Sequence, residues 1–273
     1  MKRIFGFCSE SASDSASVSE AAPAPAVPVR SLVEVRFPGF GKPLTYLNEG
    51  FELQKNDMVY VSGKLAGTPG TVTKVITRFR VPRADYEVVL RKLELELHGT
   101  FYPLDENTVI SADTQGLTPE QFASWVIPPV AVPPLPPCMD IPPMEEYISG
   151  EGYALSLSGL EASEDLRPVI LSRGQDYFRQ GKVAYLSLRD GIVTAYVEGT
   201  RWYRLDFALS GDSVTELYCQ CPYPELCKHA VAALLLLRQC LGDPRLKGRT
   251  EFTALSREWF WRAASHKADG LTL

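Results

Sequence analysis

The run Cys219-Gln220-Cys221-Pro222-Tyr223-Pro224-Glu225-Leu226-Cys227-Lys228-His229 spells C-x-C-x5-C-x-H and leads into Ala230-Val231-Ala232-Ala233-Leu234-Leu235-Leu236-Leu237. Three thiols and one imidazole this close together are the donor set of a closed, four-coordinate structural zinc site. Side chains at i and i+2 of an extended strand share a face, so Cys219 and Cys221 can grip one ion from a strand end that Pro222 terminates. On a helix i and i+2 diverge, so Cys227 is expected at the cap and His229 in the first turn of a helix that the apolar run continues. Three thiolates on a divalent cation leave one net negative charge, which the helix start stabilises by ~0.3 to 1 kcal/mol. Buried thiols with a chance histidine account less well for four ligand-type residues at this density. A Cys219 to Cys221 disulfide would be strained, and the C-x-x-C of thiol redox chemistry is absent.

Upstream, residues 170–180 place apolar side chains at helical spacing and stop at Gly181. Residues 182–188 alternate as a strand, Asp190-Gly191 is a hairpin signal, and residues 192–197 return. Residues 202–209 and 214–219 supply two further strands around Gly211-Asp212. A unit of this size has a small core, so the ion is expected to contribute folding free energy rather than chemistry.

The C-x-C-x5-C-x-H run and its apolar helix, taken with Arg173-Gly174-Gln175-Asp176-Tyr177-Phe178-Arg179-Gln180-Gly181-Lys182-Val183, resemble the SWIM zinc finger of bacterial proteins over residues 165–240. The resemblance implies a small β-meander followed by a helix, with Cys219, Cys221, Cys227 and His229 as zinc ligands. It also implies a nucleic-acid-binding or protein-interaction module, and no enzyme by itself.

The rest of the chain divides around two compositional breaks. Residues 1–29 collapse to Ser, Ala, Glu and Pro beyond Ser9, the composition of a disordered leader. Residues 127–164 hold Pro128-Pro129, Pro133-Pro134, Pro136-Pro137 and Pro142-Pro143, which read as a semi-rigid linker and secondarily as a dock for a proline-binding partner. Residues 30–126 form a first unit and residues 165–273 the zinc module with a C-terminal helix.

In the first unit, 32–37, 44–47, 58–61 and 70–76 read as short strands between Gly-rich turns, so a small β-barrel of the OB or SH3-like kind is expected. Residues 84–93 carry Tyr86, Val89, Leu90 and Leu93 at helical spacing. The strand 33–37, Gly41-Lys42-Pro43-Leu44-Thr45-Tyr46-Leu47, Asp57-Met58-Val59-Tyr60-Val61 and Gly70-Thr71-Val72 resemble, more weakly, the N-terminal DNA-binding domain of the primosomal helicase over 30–102. Near the other end, Phe252, Leu255, Trp259 and Phe260 suggest one amphipathic helix packed on the zinc unit. The fold class expected is therefore α+β.

With 273 residues and a net charge of −5, the whole chain is no basic nucleic-acid binder, and such a role requires a local patch. Acidic residues exceed basic ones before the zinc module and fall slightly short of them within it. Two stretches interleave cations with rings as single-strand binders do: Lys74, Arg78, Phe79, Arg80 and Arg83, and Arg201, Trp202, Tyr203 and Arg204. The bland alternative makes Phe79 and Trp202 core residues and the arginines a solvated face. Cys8, Cys138 and Cys240 show no disulfide framework, and no span has the ~18 apolar residues of a membrane helix, so a cytoplasmic setting is expected.

No phosphate loop, H-E-x-x-H, G-x-S-x-G or zinc-deaminase motif is present, and His98 and His266 have no evident partners. A catalytic zinc keeps an open position, which four protein ligands fill. The expectation is a binding protein, not an enzyme, with no small-molecule substrate evident. It is expected to take Zn2+ and to contact nucleic acid, DNA rather than RNA, as an accessory to a helicase or other DNA-processing machine; the alternative is a protein-protein adaptor with a purely structural zinc.

Overall fold

Short β-branched runs between glycine turns lay down two antiparallel sheets in the computed structural model, which describes residues 30–113, 116–129 and 154–264. The first sheet contains β1 (Ser31–Arg36), β2 (Leu44–Asn48), β3 (Met58–Val61), β4 (Gly70–Ile76) and β5 (Val89–Leu93), in the order β2-β1-β4-β3-β5. Alternation works as in any half-buried strand: Val33, Val35, Val59, Val61 and Val72 point inward with Phe37, Tyr46 and Val89. The two edges of this sheet meet at a single parallel bridge between Leu47 and Val88, where the Leu47 N–H donates to the Glu87 carbonyl at 2.9 Å. No closed barrel is found among the described residues.

Residues 84–93 are not a helix. A single 3-10 turn at Arg83–Asp85 precedes β5, which pairs with β3 from Leu93 opposite Met58 to Val89 opposite Val61. Val89 and Leu93 are four apart, a spacing that one helical turn places on one face; in the strand a register shift between Tyr60 and Val61 instead sends Val89 to the core of this sheet and Leu93, with Met58, to the other side. The open edge of β3 decides between them.

The second sheet has eight strands in the order β6-β7-β13-β9-β10-β11-β12-β8. They are β6 (Tyr102–Pro103), β7 (Thr108–Ser111), β8 (Leu155–Ser156), β9 (Val183–Arg189), β10 (Ile192–Glu198), β11 (Trp202–Ser210), β12 (Ser213–Cys219) and β13 (Phe252–Ser256). Asp190 and Gly191 make the β9 to β10 turn at φ 50° and 76°, the left-handed pair that a two-residue hairpin requires. Helices α1 (Pro119–Val126), α2 (Pro168–Arg179), α3 (Lys228–Gly242) and α4 (Arg257–Ala264) cover the sheet.

Both faces of this sheet are buried, which is why six consecutive residues of β9 are hidden from solvent. One face packs α2 and α3 against Val183, Leu186, Val193, Ala195, Val197 and Leu205. The other carries Tyr185 and Tyr196 into an aromatic cluster with Phe122, Trp125, Trp202 and Trp259. Met58, Tyr60 and Leu93 of the first sheet join that cluster, and the Tyr60 hydroxyl donates to the Trp125 carbonyl at 2.9 Å.

The segment expected as one C-terminal helix is a strand followed by a helix. Phe252 and Leu255 lie in β13, which slots between β7 and β9, while Trp259 and Phe260 lie in α4. Helix α4 packs in the aromatic cluster, on the face away from α2 and α3. Its helical period was real for Trp259 and Phe260 only; the paired edges of β7 and β9 extend the rest. Strands β6 and β7, which the sequence assigns to the first unit, thus hydrogen-bond into the same sheet as β9 to β13.

The candidate metal centre

The centre forms where β12 runs out. Cys219 is its last residue, opposite Leu205 of β11, and the chain continues to Cys221 before Pro222. The next donor, Cys227, is the N-cap of α3 with extended backbone (φ −99°, ψ 165°), and its Sγ accepts the Ala230 N–H at 3.4 Å. An extended cap turns the chain so that residues i and i+2 converge, and His229 meets Cys227 from the first helical turn.

The four donor atoms lie within 4.8 Å of one another. His229 Nδ1 is 3.7 Å from Cys227 Sγ and 4.0 Å from Cys219 Sγ. Tetrahedral zinc, with bonds of about 2.3 Å to sulfur and about 2.0 Å to nitrogen, holds such atoms about 3.6 Å apart. The residues present therefore fit the ion with little adjustment. Cys227 and His229 are 3% and 5% exposed, and Cys219 and Cys221 are half-buried. All four thiols among the described residues are free; the remaining one, Cys240, is enclosed on α3, where burial pushes its thiol up.

Electrostatics already separate the thiols. The hydrogen bond from Cys219, then those of His229 and the Ala230 N–H, draw Cys227 down to about 4 from 9.0, against the opposing effect of burial. Cys219 is pushed up by the same bond and by burial, and Cys221 is pushed up chiefly by burial. One thiolate at a helix start among closely held thiols is a site prepared for a cation that displaces the remaining protons.

Aromatic rings fix the imidazole. Tyr203 stacks on His229 with centroids 4.4 Å apart, and Tyr177 meets its edge at 5.5 Å. Strand alternation explains the choice: Trp202 faces the aromatic cluster, so its neighbour Tyr203 faces the metal. Helix α2 approaches because residue 174 is glycine; a Cβ there would overlap Val231 and lie 3.1 Å from the Lys228 carbonyl.

The residues proposed to contact nucleic acid are scattered. Lys74 is 3.8 Å from Glu34, Arg83 binds Glu49 at 2.6 Å, Arg78 and Arg80 are exposed, and Phe79 is half-buried. Arg204 is held by both oxygens of Asp206 at 2.8 and 3.0 Å, and Trp202 belongs to the aromatic cluster. Arg201 does come to the metal unit, with its guanidinium 5.4 Å from the Tyr203 ring centroid. His98 lies 3.7 Å from Glu96. Cys8, Cys138, His266 and the stretches 1–29 and 130–153 lie outside the described residues.

Sequence reasoning missed Arg173, Lys228 and Tyr223, which with Tyr203, Cys221, Cys227 and His229 line a cavity of about 240 Å³. Tyr203 was singled out with its neighbours, and the side it takes follows from Trp202, since a core ring on a strand directs the next one to the opposite face. Nothing in the spacing brings Arg173 to Lys228; that takes the docking of α2 on α3.

Residues 200–238 match the family model of the SWIM zinc finger, a span that contains all four donors. No curated protein and no solved structure matches the chain. The cluster is the Cys3His set of a SWIM zinc finger, positioned to bind a zinc ion. No helix among the described residues is long and apolar enough to cross a membrane.

Proposed function

We propose that this chain is a zinc-dependent nucleic-acid-binding module, and that its SWIM unit makes the contact. The observation that carries the reading is a group of cations without acidic partners beside the metal centre, in a chain of net charge −5. Arg173, Arg201 and Lys228 gather around the wall made by Tyr203 and His229, and none of the three makes an ion pair among the described residues. Cations free of acidic partners are the ones that can exchange counterions for phosphates.

Zinc acts here by holding the knuckle and the start of α3 in one shape. It supplies no open coordination position for chemistry, so a binding role is favoured over catalysis. The first sheet, with its edges meeting at Leu47 and Val88, supports a barrel-like accessory surface on which Arg78 and Arg80 stand exposed. Such a chain suits an accessory of a helicase or another DNA-processing machine in a reducing, cytoplasmic setting.

The test is binding of the zinc-loaded protein to single-stranded DNA, duplex DNA and RNA across a salt series. Affinity that falls steeply with salt is expected, with a loss on Arg201→Ala and little change on Arg204→Ala, whose guanidinium is already committed to Asp206. Absence of binding at low salt overturns the reading in favour of a protein-interaction adaptor.

A further inference from the structure

The cavity that opens onto three of the zinc ligands, Cys221, Cys227 and His229, has further walls whose chemistry zinc ligation does not require. Ile170, Tyr203 and Tyr223 give it apolar and aromatic walls, Thr200 stands at its rim, and Arg173 and Lys228 supply two positive charges. The acids on the surrounding elements are already engaged: Glu225 by Arg167 at 3.0 Å, Asp176 by Arg179 at 2.7 Å and Glu198 by Lys182 at 3.0 Å. Among the described residues Arg173 and Lys228 make no ion pair. The Tyr203 ring already carries His229 stacked at 4.4 Å and the Arg201 guanidinium at 5.4 Å, and its hydroxyl is held by Thr200 at 2.8 Å, so its edge is a wall ordered in advance and Tyr223 is the ring on which a base can stack.

Its size narrows the occupant. About 240 Å³ is below the roughly 300–1,000 Å³ of pockets for drug-sized ligands, but it admits one flat ring. Flat apolar faces flanked by negative charge are what an unpaired nucleotide offers. A duplex would have to unstack and flip a base to reach the same place. Resting on the nucleic-acid reading of this unit, we infer that the cavity takes one unpaired base of a single-stranded nucleic acid against Tyr203 and Tyr223, with adjacent phosphates on Arg173 and Lys228.

A rival account assigns the two cations to the metal centre, offsetting the net negative charge of three thiolates around zinc. Zinc stoichiometry separates the two. The experiment measures, on the full zinc-loaded chain, fluorescence anisotropy with a labelled oligothymidine and with the same strand in duplex form, alongside zinc content. Arg173→Ala and Lys228→Gln are expected to keep zinc, weaken single-strand binding and each lower the salt slope by about one. Thr200→Trp, which fills the cavity and leaves both charges, is expected to keep zinc and weaken binding by about fivefold to a hundredfold, the value of one base-ring stack.

Variants that keep zinc and bind like the parent overturn the cavity assignment and leave the broader reading standing. Loss of zinc in Arg173→Ala or Lys228→Gln favours the rival account and overturns the inference. A parent that binds duplex as well as single strand overturns base insertion, and a parent that binds neither overturns both readings.

Discussion

The first sheet and the metal unit obtain their shapes from different physics. In the first sheet nine buried side chains, from Val33 to Val89, set register by alternation alone, and its edges touch at one bridge. In the metal unit four donors spread over eleven residues fix a strand end, a turn and a helix cap together. The metal unit also rests on a far larger core than its length suggested. Ten residues of α3 are buried, most of them against α2 and the eight-stranded sheet, so zinc adds a local tie between the knuckle and the helix cap to a core that is already large.

The largest effect that sharpens this contrast comes from Cys227→Ser. It removes a ligand and the sulfur that accepts the Ala230 N–H, and its cost is expected at about 4 kcal/mol or more, the class of a lost structural metal. Zinc analysis and hydrogen exchange should show no bound ion and exposed amides from the knuckle into α3, with β1 to β5 still protected. Stoichiometric zinc in this variant would sink the ligand assignment. Acid should act in the same direction, because zinc competes with protons for its donors. The sign for Cys227 is that of a depressed group: its contribution in the ion-free state is full above 9.0 and fades as pH falls toward about 4.

Gly174→Ala tests the packing of α2 on α3 without touching a ligand. Alanine favours a helix, but its methyl would overlap Val231, so a net loss of ~1 to 3 kcal/mol is expected in a thermal melt with zinc content unchanged. A stabilised variant would show that the two helices separate freely. Tyr60→Phe probes the seam between the two regions. It leaves the Trp125 carbonyl without its donor and should cost ~1 to 2 kcal/mol by denaturant titration, with no change in metal affinity. Smallest is Arg238→Ala, which breaks a bidentate pair with Glu161 at 2.5 and 2.7 Å; both groups are more than a third exposed, so the loss stays below ~1 kcal/mol.

The same contrast explains what could be read from the sequence. The zinc ligands, the extended cap at Cys227 and the Asp190-Gly191 hairpin were legible because each depends on residues a few positions apart. Strands β1 to β4 and β9 to β12 were legible from alternation. Illegible were the features set by distant partners. Residues 84–93 became a strand because β3 offered an edge, and 252–256 did so because β7 and β9 left a gap. For Trp202 the sequence left a contact role and a core role open and the sheet takes the core one, while the tie of Arg204 to Asp206 depends on the strand face they share. The cavity required α2 to dock on α3, which no local pattern encodes.

The place of β13 has a consequence for the order in which the chain matures. It lies between β7 and β9, yet its residues, 252–256, follow every other strand of the two sheets along the chain. Until they leave the ribosome, the facing borders of β7 and β9 present unpaired amides and carbonyls, open to any other extended chain. The eight-stranded layer therefore closes last, from its own middle, and a nascent chain arrested before residue 252 would be a sticky intermediate that needs a chaperone.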